Sequence, residues 1–149
     1  MSTAFPTTDA SIEYQKLLFD TLKGDATVMS LAEDVYDAVP PDPFDVWGPK
    51  KAYISFGPSD VFNEDAECQT NSVHTVQIDC WSRQVGSVHC KRLVDAVYAV
   101  LHDNSSLALS QNALQQIQVV LRQVFRDPDG LTTHGVIQVQ AMIQERVDP

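Results

Sequence analysis

The chain has 149 residues, 44% of them hydrophobic, with ten Lys and Arg against twenty Asp and Glu, a formal charge of −10. That length suits a single domain, 1–149, able to bury roughly 70% of its unfolded surface. The acidic balance is a poor footprint for wrapping nucleic acid or anionic lipid, because phosphates are held by cations.

No apolar run approaches the ~18 residues of a transmembrane helix. The N-terminus MSTAFPTTDA lacks the basic and apolar regions of a signal peptide, so synthesis in the cytoplasm is expected. Residues 1–8 read as a flexible lead-in. A first helix is expected over Ser11–Lys23, with Tyr14, Leu17, Leu18 and Leu22 on one side and Gly24 as its stop. Asp25 then caps a short second helix, Ala26–Ala32, that buries Val28, Met29 and Leu31. Val35–Val39 is a short extended piece.

Pro40, Pro41 and Pro43, with Asp42 and Asp45, make a loop that can continue neither a helix nor a central strand. Phe44 and Trp47 are expected to anchor it on the core. In Ala52–Phe56, Ala52, Ile54 and Phe56 alternate with Tyr53 and Ser55, and Gly57-Pro58 is expected to end that strand. A long acidic loop, 57–72, follows, carrying Asp60, Glu64, Asp65 and Glu67 and neither Lys nor Arg. Such a length inside a compact domain points to mobility or function.

From Val73 the period is two: His74, Val76, Ile78 and Cys80 on one face, Thr75, Gln77 and Asp79 on the other. After a polar break at Ser82–Ser87, Cys90, Leu93, Val94, Val97, Val100 and Leu101 form the stripe of an amphipathic helix. Two long strands close the chain. Ile117, Val119, Leu121 and Phe125 are expected to face inward in the first, opposite Gln116, Gln118 and Arg122. Ile137, Val139, Ala141 and Ile143 face inward in the second, opposite Gln138, Gln140 and Gln144. Between them, in 126–131, Asp127-Pro128-Asp129-Gly130 is a turn in which Pro presets φ and Gly supplies positive φ. The order α-α-β-β-α-β-β predicts an α+β fold, a mainly antiparallel four-stranded sheet with helices packed on one face.

The sequence offers no catalytic constellation, and neither a cofactor nor a metal is expected. His89 and Cys90 are adjacent and diverge on a helix, which argues against their joining His74 and Cys80 as metal ligands. Cys80 and Cys90 fall on apolar faces, unlike an activated thiolate. With Cys68 they make an odd set without CxxC spacing, so a disulfide framework is not expected. The carboxylates of 57–72 lack the DxDxDG spacing of a calcium loop, and no phosphate loop, GxSxG or HExxH is present. One feature asks for a partner. The final hairpin is rich in Gln rather than in charge: Gln115, Gln116, Gln118, Gln123, Gln138, Gln140 and Gln144. Uncharged, hydrogen-bonding strand faces suit contact between subunits, since interface cores are depleted in charge; an ordinary solvent-facing sheet is the alternative.

Over roughly residues 11 to 145 the landmarks, in order, resemble the tail completion (tail terminator) proteins of long-tailed bacteriophages and gene transfer agents. They are the Leu-rich helix running into Gly24-Asp25-Ala26, then Val35-Tyr36-Asp37, and Ala52-Tyr53-Ile54-Ser55-Phe56-Gly57. Val76-Gln77-Ile78-Asp79-Cys80-Trp81-Ser82-Arg83 follows, similar to the family's strand ending in a Trp-Ser pair. After Gly86 and the amphipathic helix comes the closing hairpin at Arg126-Asp127-Pro128-Asp129-Gly130. Ala52-Tyr53 departs from the family in lacking the Pro common before that strand. The resemblance implies a non-enzymatic virion protein. It would form a ring, usually a hexamer, that sits on the last tail-tube ring, stops polymerisation and meets the head connector. DNA would pass through its lumen without specific binding, and no membrane is involved. The candidate contact residues are Asp60, Glu64, Asp65, Glu67, Gln116, Gln118, Gln138 and Gln140. A head–tail connector or stopper of the neck is a second reading, and a small α+β enzyme or ligand-binding module a third.

Overall fold

Asp9 starts the first helix. Its carboxylate accepts from the Ser11 N–H at 2.8 Å, satisfying one of the donors a helix N-terminus leaves open. In the computed structural model, residues 9–41, 45–64 and 70–145 are described. The elements are α1 (Ala10–Lys23), α2 (Ala26–Leu31), β1 (Val35–Tyr36), β2 (Ala52–Asn63), β3 (Asn71–Ser82), α3 (Val88–Leu101), β4 (Ala113–Arg126) and β5 (Thr133–Gln144). The lead-in 1–8, Asp42, Pro43, Phe44, Asp65, Glu67 and Cys68 lie outside the described residues. Asp25 caps α2 as expected, accepting from Val28 N–H at 2.9 Å.

The α+β class holds, but the sheet is five-stranded and mixed, in the order β1-β2-β3-β5-β4. The expected four antiparallel strands are present. To them β1 adds a parallel edge pair, Val35 beside Ile54 and Tyr36 beside Ser55, made from the short extended piece that follows α2. Tyr14, Leu18 and Leu22 of α1, Val28 of α2 and Leu93, Val97 and Leu101 of α3 are fully buried together with Ile54, Ile78, Ile137 and Ile143 of the sheet. Val76, Ile78 and Cys80 of β3 and Ile137, Val139, Ala141 and Ile143 of β5 lie at the alternate positions read from the period of two, while Val136 is buried on the opposite face.

Two local expectations fail for one reason: edge strands tolerate irregularity that central strands do not. First, Gly57-Pro58 does not end β2. The strand runs to Asn63, pairing with β3 throughout except for a register shift between Phe56 and Ser59. β1 has already ended there, so the N–H that Pro58 lacks is missing from an outer edge. Most of the expected 57–72 loop is therefore a long hairpin. Second, β4 shifts register at Leu114–Gln116 and again at Val119–Leu121. One extra residue turns every following side chain over. Beyond it Arg122 and Val124 stand opposite Ile137 and Gly135 on the helix side, while Leu121 and Phe125, expected inside, are partly exposed on the other face. The His102 Nδ1 that ends α3 accepts the Val119 N–H at 3.0 Å, so the shift leaves that donor satisfied.

Candidate functional site: the helix-free face of the sheet

Strand register sorts the side chains of the uncovered face into rows that cross the sheet. At one end Tyr53, Trp81, His134 and Phe125 stand side by side, and the next row holds Ser55, Asp79, Val136 and Gln123. Then come Gln77, Gln138 and Leu121, followed by Asp60, Thr75, Gln140 and Gln118, and finally Phe62, Val73, Met142 and Gln116. Five of the eight sequence candidates, Asp60, Gln116, Gln118, Gln138 and Gln140, thus share one face. Asp60, Gln140 and Gln118 share one row. Glu64 lies just past β2, where its N–H donates to Asn71 O at 2.8 Å.

The middle of this face is uncharged and half-buried. Gln140 Nε2 donates to Thr75 Oγ1 at 3.4 Å, so this amide lies along its neighbour in the row. Docking such a face costs less desolvation than docking Lys or Glu.

The first two rows were not foreseen as a unit. Tyr53 stacks on Trp81 with centroids 6.3 Å apart, and Trp81 on His134 at 3.7 Å. Trp47 meets Tyr53 edge-on at 4.9 Å, and the Arg83 guanidinium covers Trp47 at 4.2 Å. Trp47 therefore folds its loop onto this aromatic row of the open face and not onto the helix-side core. The signal was in the sequence: Trp81 is in phase with Gln77 and Asp79, and Tyr53 with Ser55. Phe125 carried no such signal, because the shift in β4 decides its face.

Asp79 fastens the second row to the first. One carboxylate oxygen is 2.7 Å from His134 Nε2 and accepts from Gln77 Nε2 at 3.0 Å. A Cβ on Gly57 would come within 2.7 Å of the other oxygen, so a larger residue there would have to displace the carboxylate from its present place. Trp81 Nε1 donates to Ser55 Oγ at 3.0 Å, which completes the anchoring of the ring. Asp79→Ala is expected to cost about 2 kcal/mol, the range for hydrogen bonds to charged groups, and to change Trp81 fluorescence as the His134 stack loosens. Unfolding in urea, followed at the tryptophans, measures both; an unchanged midpoint would separate Asp79 from this packing.

The side chains that might have carried chemistry are engaged otherwise. Burial pushes the Cys80 thiol well up and the Cys90 thiol to about 11, so neither is a thiolate at neutral pH. His74 is buried against Tyr14 and holds Ser72 Oγ at 2.8 Å, and burial lowers its pKa. His89 Nδ1 meets Ser82 Oγ at 3.0 Å, with its pKa likewise lowered by burial. Among the described residues, no three His, Cys, Asp or Glu side chains converge as metal ligands would.

The family profile of tail completion protein gp17 matches residues 16–144, which runs from within α1 to the last residue of β5. The chain belongs to this family. A solved structure described as the virion of a native gene transfer agent (GTA) particle contains a chain with the same fold. The TM-score is 0.77 at 25% identity, covering 92% of this chain and 99% of that one. A comparison with curated protein sequences returns no match. Tail completion proteins are structural parts of the virion tail and not enzymes, so the Gln-rich face belongs to an assembly component. No helix among the described residues is long and apolar enough to cross a membrane.

Proposed function

We propose that this tail completion protein forms a ring of six copies that caps the tail tube, ends its polymerisation and presents the surface to which the head connector joins. The observation that carries this reading is the family match across the whole set of elements from α1 to β5. The physical character of the open face supports it. A Gln-rich face with few charges beside an anchored aromatic row suits contact with another folded protein, and a net charge of −10 suits a lumen through which DNA slides without sticking. We assign Gln116, Gln118, Gln138 and Gln140 of the face, and Asp60, Glu64, Asp65 and Glu67 of the acidic segment 57–72, to contacts among copies and with the tube protein.

Electron microscopy of particles made without this gene tests the reading. Overlong or irregular tails beside unattached full heads are expected. Tails of normal length on heads that leak DNA or fail to join would move the protein to the neck as a connector or stopper. Normal particles would overturn both positions.

A further inference from the structure

The two edges of the sheet are each half closed by the chain itself, and at opposite ends. On β2 the outer edge is occupied near its start. There β1 pairs with Ile54 and Ser55, and Glu33 N–H donates to Ala52 O at 2.7 Å. From Ser59 to Asn63 no described element pairs with that edge. On β4 the situation is reversed. Asp103 N–H donates to Ile117 O at 3.0 Å, and Val119 N–H is taken by His102, whereas no described element pairs with the outer edge from Val120 to Arg126. Both open stretches carry exposed apolar side chains, Val61 and Phe62 on one and Val120 and Phe125 on the other. An exposed apolar strand edge is a template for another strand.

The two edges also differ in charge. Beside the open half of β2 lie the exposed Asp60 and Glu64. Beside the open half of β4 lie Arg126 at its end and, in the cleft between α3 and β4, Lys91 and Arg122 with Asp95. Asp95 is paired with Arg122 at 3.8 Å, which leaves Lys91 and Arg126 as the excess positive charge of this edge. Strand direction is compatible as well: β4 of one copy set against β2 of the next continues the antiparallel alternation of β2, β3, β5 and β4.

Resting on the ring proposed above, we infer that a second copy of this chain docks head to tail. The basic β4/α3 edge of one copy meets the acidic edge of β2 on the next through the 59–63 and 120–126 stretches. Such a heterologous contact uses two different surfaces and repeats by rotation, as a ring requires. Joining halves at opposite ends slides each copy along the strands relative to the last. A sheet that closes with such a stagger has strands tilted to the ring axis, as in a barrel.

Charge exchange tests the contact. Lys91→Glu with Arg126→Glu, and separately Asp60→Lys with Glu64→Lys, are supplied as full-length chains to a host deleted for the gene. All four side chains are exposed, and circular dichroism and thermal melting verify folding. Each pair alone sets like charges against each other and is expected to lower the yield of completed particles about tenfold or more, since such juxtaposition costs several kcal/mol. The chain carrying all four changes is expected to recover to within about threefold of the unmodified chain, because its edges are again complementary. Wild-type yield from either folded pair, or no recovery by the fourfold chain, would overturn the edge assignment. An isologous β4-to-β4 contact predicts that second outcome. A deletion strain that completes its tails normally would instead remove the ring reading itself, so the two failures are distinct.

Discussion

Replacing Glu13 by Ala is expected to destabilise the protein by about 3 kcal/mol, the combined loss of hydrogen bonds to a charged carboxylate, including those from the buried Asn112 donors that are left without an acceptor. Glu13 is only 8% exposed, yet it lies on the first turn of α1, where sequence gives no hint of burial. Its two oxygens accept from Ser110 N–H at 3.2 Å, Ser110 Oγ at 2.8 Å, Gln111 N–H at 2.8 Å, Asn112 N–H at 3.1 Å and Asn112 Nδ2 at 3.1 Å. One side chain thereby holds the segment that leads into β4 against a helix nearly a hundred residues away. In a chain of this size each kcal/mol moves the melting point by about 2–4 °C, so a fall of about 6–12 °C is expected by calorimetry. A shift below about 2 °C would mean that water replaces the carboxylate at little cost.

The same residue gives a pH signature. Burial alone raises the pKa of Glu13, but the bonds from Ser110, Gln111 and Asn112 together outweigh it and hold the value below 4.5. The unfolded chain therefore binds the proton more readily than the folded one, and stability rises with pH in that window. The contribution is complete above 4.5 and is lost as the pH falls through the folded value. Glu13→Gln is expected to flatten this acid limb while remaining less stable than the parent at neutral pH. Urea midpoints measured from neutral pH down to the acid limb follow the loss, and parallel profiles for parent and variant would contradict it.

Gly135→Val is the second large effect, about 3 kcal/mol, at the upper end for overpacking a core. Gly135 lies in β5 where α3 crosses closest. A Cβ there would stand 2.5 Å from Val94 Cγ2, 3.1 Å from Cys90 Sγ and 3.3 Å from Cys80 Cβ. The backbone needs no glycine for its own conformation; the helix needs the space. Gly135→Ala is expected to cost about 1–2 kcal/mol, because Val94 must move to admit even a methyl group. Val94→Ala combined with Gly135→Ala should lose less than the two single changes added together, a coupling measurable in a double-mutant cycle. Strict additivity would show that α3 yields as a body and that Val94 is not the obstacle.

The sequence by itself determined whatever follows from local periodicity and turn chemistry. The alternation from Val73 to Trp81 placed His74, Val76, Ile78 and Cys80 on the core side. The stripe from Cys90 to Leu101 became α3, Asp25 capped α2, and Asp127-Pro128-Asp129-Gly130 made the closing turn, with Gly130 at φ 73°. The Gln positions on a common face were legible for the same reason, since strand period and register are stiff within an unbroken run. Only the tertiary structure decided the rest. The shift at Val119–Leu121 exchanged the faces of Arg122 and Phe125, and beside it His102, at the end of a separate helix, accepts the Val119 N–H. The continuation of β2 past Pro58 depends on its lying at an outer edge, which no neighbouring residue announces. The burial of Glu13 depends on a loop whose first contacting residue, Ser110, lies 97 residues later. An extra residue in a strand and a buried carboxylate are each costly alone and find a partner distant in the chain here, whereas the proline inside β2 is tolerated because no described strand neighbours its outer edge there.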